Sequence, residues 1–89
     1  MKFEIIYAEQ VVKKDIPNLS SKEKEVIRKS IEEKLGKNPM FFGKPLRYSL
    51  KPLRVLRVGN FRVVFSLSAT QIKVIAIKHR SSIYKSFKP

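Results

Sequence analysis

Residues Leu53-Arg54-Val55-Leu56-Arg57-Val58-Gly59-Asn60-Phe61-Arg62-Val63-Val64-Phe65 read as one β-hairpin. β-Branched and aromatic residues flank Gly59-Asn60, and glycine reaches the positive φ that a two-residue type II′ turn needs. Counting outward from that turn pairs Val58 with Phe61, Arg57 with Arg62, Leu56 with Val63 and Val55 with Val64. Side chains alternate across a sheet. One face then carries Leu56, Val58, Phe61, Val63, Phe65 and Leu67, a continuous apolar surface. The other carries Val55, Arg57, Arg62, Val64 and Ser66. Arg57 and Arg62 oppose each other there, and like charges so placed cost up to about 1 kcal/mol.

No acid is near in sequence to relieve that pair. Residues 1–40 hold nine basic residues and all seven acids, the last being Glu33. Residues 41–89 hold the other eleven basic residues and no acid, and the net charge is +13 over 89 residues. Such a field repels itself and favours binding to a polyanion. Nucleic acid is the first candidate, an acidic protein the second and an anionic membrane surface the third. The Arg57–Arg62 pair has two readings. Two guanidinium groups, each with several donors, can converge on one phosphate. Alternatively, they splay apart in solvent or find an aromatic ring or an N-terminal Glu.

Outward from the hairpin, Ile72 to Lys78 reads as a further strand, linked by Ser68 to Gln71. A loop from Met40 to Pro52 precedes the hairpin and carries Lys44, Arg47 and Lys51. Before it, Ser20-Ser21-Lys22-Glu23 fits a capping box, in which hydroxyl and carboxylate each satisfy an orphan backbone group. Val26, Ile27, Ile31 and Leu35 follow at helical spacing, and Gly36 and Pro39 mark the stop. A shorter helix fits Glu9 to Asp15, since Pro17 blocks its continuation. Lys2 to Tyr7 reads as a strand with Phe3, Ile5 and Tyr7 on one face and Ile6 on the other. The expected class is α+β. An N-terminal strand and two helices pack on one face of a small antiparallel sheet, as a single domain over residues 1–89.

Cysteine is absent and there is one histidine, so neither disulfides nor a Cys- or His-based metal site is available. No cofactor is expected. No segment approaches the roughly 20 apolar residues that span a bilayer. The first apolar run, Phe3 to Ala8, is short and contains Glu4, unlike a signal peptide. A cytoplasmic protein with no membrane partner is the expectation.

His79-Arg80-Ser81-Ser82-Ile83-Tyr84 follows the last strand. Arg80 and Tyr84 are four residues apart and close enough to converge. Tyr can carry a proton, Arg can stabilise developing phosphate charge, and His can titrate near neutral pH. The plainer readings are a surface His79 and a Tyr84 that anchors the tail on the core.

Residues 53–65 resemble the hairpin signature of the RelE/ParE superfamily of bacterial toxins, L-R-x-x-R-V-G-x-Y/F-R-V-x-Y/F. Residues 79–84 resemble the H-R-x-x-x-Y ending of its RelE branch. The opening strand, the two helices and Leu46 to Leu50 fall in the expected order, so the resemblance spans nearly the whole chain. It implies the toxin of a type II toxin–antitoxin system that cuts mRNA on the ribosome without a metal. By position, Arg62 and Arg80 would hold the scissile phosphate and Arg57 would support it. Tyr84 would stack on a base or transfer a proton. Lys44, Arg47, Lys51, Arg54, Lys78 and Lys85 would contact RNA.

The family commonly has basic residues seven and nine positions before the hairpin arginine, where this chain has Val55 and Leu53. His79 or Lys51 would then take the proton-transfer role. The resemblance also implies a cognate antitoxin, acidic and partly disordered when free. Two alternatives remain at this point: a ParE-like toxin that inhibits DNA gyrase, and a non-catalytic RNA-binding relative.

Overall fold

The computed structural model describes residues 3–45 and 53–83. Strand β1 (Glu4–Tyr7) leads into a π-helical turn, Val11–Asp15. Helix α1 (Ser21–Ser30) follows and runs directly into a second π-wound turn, Ile31–Leu35. A one-turn helix α2 (Pro39–Phe42) leads to β2 (Lys44–Pro45). Then come β3 (Arg54–Val58), β4 (Phe61–Leu67) and β5 (Gln71–His79). The five strands lie in the order β1-β5-β4-β3-β2. The short α2 and β2 occupy part of the stretch expected to be only a loop, and residues 46–52 lie outside the described residues.

The hairpin register matches the count from the turn. Arg57 pairs with Arg62, Leu56 with Val63 and Val55 with Val64, and Gly59 has φ +57°. The expected all-antiparallel sheet is not what forms. Strand β1 runs parallel to β5, with Glu4 beside Gln71 and Tyr7 beside Val74, so the sheet is mixed. The reason is topological. The helices between β1 and the hairpin carry the chain across the sheet, and a crossover returns a strand in the same direction.

Leu56, Val58, Val63, Phe65, Ile72, Val74 and Ile77 form the main core with Val11, Leu19, Ile27, Ile31 and Leu35. The helical segments therefore cover one face of the sheet. Ser20 and Glu23 form the expected capping box. Of the expected apolar stripe, Ile27, Ile31 and Leu35 are buried but Val26 is 48% exposed. Ile27 and Ile31 fix the inward direction, and Val26 sits about 100° around the helix from Ile27. Gly36 ends the second π-wound turn with right-handed angles, φ −61° and ψ −25°, so the stop does not use the left-handed region.

The opposite face is also partly covered. Leu53, Val64, Ala76 and Ile83 are buried together there, with Val55 and Ile75 half-buried beside them. Strand β5 is irregular at this point. Val64 faces Ala76 but Phe65 faces Val74, which leaves Ile75 as a bulge.

Beyond Val74 the outer edge of β5 has no strand beside it. The chain leaving β1 takes its place. The Ala8 N–H donates to Val74 O at 2.9 Å, and Gln10 Nε2 donates to Ile75 O at 2.9 Å. Asp15 Oδ2 accepts from the Ile77 N–H at 3.0 Å. Two side chains of the first helical segment thus satisfy backbone groups that an exposed edge would leave open.

Candidate nucleic-acid interface

Register places a row of cations across three strands on the face away from the helices. Arg57 on β3 faces Arg62 on β4, and Arg62 faces Lys78 on β5. Lys44 belongs to the same face, because it pairs with Val55, two residues from Arg57. Arg57 and Lys44 are exposed.

The arginine pair avoids full like-charge contact by folding one member back. Arg62 Nη1 donates to Gly59 O at 3.0 Å and to Phe61 O at 2.9 Å, which draws its guanidinium over the hairpin turn. The same turn holds the start of the C-terminal segment, where the Arg80 N–H donates to Asn60 O at 2.7 Å. The two carbonyls of Gly59-Asn60 therefore gather Arg62 and Arg80, 18 residues apart in sequence, at one end of the sheet. The Arg80 side chain is exposed there.

Other expected site residues are placed differently. His79 pairs with Phe61, and the two rings meet edge to face at 5.7 Å. Phe61 packs on the main core, so His79 is turned to the helix side of the sheet, away from Arg57 and Arg62. Its Nδ1 accepts from the Ser81 N–H at 3.2 Å and lies 2.9 Å from Ser81 Oγ, which places the proton of the neutral ring on Nε2. Arg54 was expected at RNA. Its Nη2 instead donates to Gly43 O at 2.6 Å and reaches Met40 O at 3.5 Å. It ties α2 and the residue before β2 to β3, and the side chain is half-buried. Lys78 donates to Asp15 Oδ1 at 2.8 Å. Arg47, Lys51, Tyr84 and Lys85 lie outside the described residues.

Asp15 and Gln10 were not foreseen from sequence. An acid at the end of a short amphipathic segment reads as surface charge, and only the fold shows Asp15 to be 4% exposed. Leu53 and Val55, where the resemblance leads one to look for basic residues, are packing residues of the small core on this same face.

Comparison with protein-family models finds no match, and no curated protein matches. Solved structures do. A chain of the toxin–antitoxin complex RelBE2 from Mycobacterium tuberculosis superposes with a TM-score of 0.82 at 20% identity, covering 90% of this chain and all of that one. A chain of the RelB–RelE antitoxin–toxin complex from Methanococcus jannaschii gives 0.71 at 24% identity, with coverage of 92% and 98%. The chain has a RelE-like fold. The archaeal RelE–RelB complex from Pyrococcus horikoshii agrees, at 0.63 and 23% identity over 90% of this chain and 97% of that one. The ParE-like alternative is not favoured by these neighbours. Within this RelE-like sheet, the cationic row occupies the face that the long helices leave open.

Proposed function

We propose that this chain is the toxin of a type II toxin–antitoxin system and an endonuclease that cuts mRNA on the ribosome, in the cytoplasm. The observation that carries the proposal is the open sheet face on which Arg57 and Arg62 oppose each other, with Arg80 gathered to the same hairpin turn. Residues 41–89, which supply all three arginines, contain no acid.

RNA brings its own nucleophile, the 2′-OH. The 2′-oxygen forms a bond to the adjacent phosphorus and the bond from phosphorus to the 5′-oxygen breaks. One proton leaves the 2′-OH and one reaches the departing 5′-oxygen, giving a 2′,3′-cyclic phosphate and a free 5′-OH. The protein aligns the groups and stabilises added phosphate charge. Arg62 and Arg80 hold the phosphate, Arg57 supports it and Lys44 adds a neighbouring contact. Tyr84 stacks on a base or transfers a proton. His79 is on the helix side of the sheet, which argues against it for that transfer.

Purified protein added to translating ribosomes is expected to cut the message at the A site. Intact message at protein excess overturns the proposal. Arg80→Ala and Tyr84→Phe are each expected to relieve the growth arrest caused by induction. Full toxicity in both places the chemistry elsewhere.

A second reading, an RNA-binding relative without chemistry, is favoured by Leu53 and Val55, which pack where a basic group would serve proton transfer. Ribosome and RNA binding with uncut message and unimpeded growth would select it. Under either reading the partner is an acidic antitoxin, in keeping with the RelE–RelB complexes that share the fold.

A further inference from the structure

Asp15 is the one buried charged side chain among the described residues, and it reaches the cationic row. Its Oδ2 accepts from the Ile77 N–H at 3.0 Å, and its Oδ1 accepts from Lys78 Nζ at 2.8 Å. The other described ion pairs, Lys13–Glu9, Arg28–Glu25 and Arg28–Glu32, lie within residues 1–40. Among these described pairs, Lys78–Asp15 is the one that crosses from the half that carries the acids to the half that has none.

The direction of the pull follows from the backbone. Strand β4 lies on one side of β5, and Asp15 takes the Ile77 N–H on the side that β1 has vacated. Asp15 therefore marks the outer edge of β5. Lys78 stands in register beside Arg62, so its Cβ is about 5 Å from that of Arg62. Its ammonium, however, is bonded at the outer edge. The Asp15 carboxylate is fixed by a backbone donor and cannot follow Lys78 toward a ligand.

We infer that Asp15 is a positioning residue that holds the Lys78 ammonium out of the anion-binding row. The face then meets a phosphate chain with the exposed Arg57 guanidinium and with the Arg62 guanidinium held over the turn, the third cation of the register being neutralised and turned aside. This inference rests on the reading of that face as an RNA surface. Guanidinium groups make planar two-point contacts to phosphate, whereas an ammonium is a mobile point charge. Withholding Lys78 thus keeps the row's geometry that of the arginines.

The test uses the full chain and a short oligouridylate. The affinity of a single strand falls with salt with a slope of about 0.7 per phosphate contacted. Asp15→Asn retains an oxygen for the Ile77 N–H but removes the charge that holds Lys78. It is expected to steepen the slope by about 0.7. Lys78→Met is expected to leave the wild-type slope unchanged, and the double variant to return to it. A shallower slope in Lys78→Met alone overturns the inference, because Lys78 then already meets RNA. So does an unchanged slope in a folded Asp15→Asn protein; if that variant does not fold, Lys78→Met alone decides.

The Nζ proton exchange of Lys78, followed by NMR in the free protein, separates the inference from the reading beneath it. Slow exchange in the wild type that becomes fast in Asp15→Asn supports the hold on Lys78, and fast exchange in the wild type overturns it. Absence of oligouridylate binding by a wild type with slow exchange would instead remove the RNA reading of the face.

Discussion

Gly59 and Gly43 are glycines for different physical reasons. Gly59 has φ +57° in open space, with no atom within 4 Å of an added Cβ. Its constraint is the backbone alone, so Gly59→Val is expected to destabilise by about 1–2 kcal/mol and Gly59→Asn by less. Urea unfolding of the two variants checks the ordering. Gly43 is a packing glycine. A Cβ there would lie 2.3 Å from Phe65 Cζ, and Phe65 is fully buried. Gly43→Ala is expected to cost about 1–3 kcal/mol, read as a lower urea midpoint. Tyr7 gives a pH effect at this scale. Burial pushes its phenol above the ordinary value, the Glu32 charge adds to the rise, and Arg28 opposes it. The unfolded chain then releases the Tyr7 proton first. The contribution is present in full below about pH 10 and is lost as pH rises through the folded value. Stability above that pH should fall more gently in Tyr7→Phe than in the wild type, measured by urea unfolding across alkaline pH.

At the scale of elements, the first helical segment serves as a substitute strand. Gln10 and Asp15 close the edge of β5 with side chains where β1 stops. A bare edge invites pairing with another chain. Helix α1 owes its start to Ser20. The Glu23 N–H donates to Ser20 Oγ at 3.1 Å and Glu23 Oε1 accepts from the Ser20 N–H at 2.9 Å. Ser20→Ala is expected to cost about 1 kcal/mol, seen in the thermal midpoint. That loss should leave the salt dependence of RNA binding untouched, since α1 lies on the other face of the sheet.

For the whole molecule, the fold sorts charge onto surfaces. The helices that carry most of the acids cover one face of the sheet, and the acid-free strands present the other. None of the described helices is long and apolar enough to cross a membrane. Lys44 and Lys78 test the sorting, because both project from the face that carries Arg57 and Arg62 but only Lys78 is bonded to an acid. Lys44→Ala is expected to make the salt dependence of oligouridylate binding shallower by about 0.7. An unchanged slope would place the RNA path away from β2.

The hairpin was legible in the sequence, because pairing in a two-residue loop follows from the turn residue and the alternation of side chains. Arg57 opposite Arg62, the apolar face from Leu56 to Phe65, and the Ser20–Glu23 cap are local consequences of a few adjacent residues. The parallel pairing of β1 with β5 was not legible, since direction depends on how the intervening helices route the chain. Nor was the turning of His79 away from the arginines, nor the employment of Arg54 on the carbonyls of Met40 and Gly43. Adjacent residues alone dictate a hairpin with two opposed arginines and an acid-free second half. Which of these cations an acid holds depends on how the distant parts of the chain pack. A charge is free or engaged according to what lies within hydrogen-bond distance, and Asp15 meets Lys78 from 63 positions away.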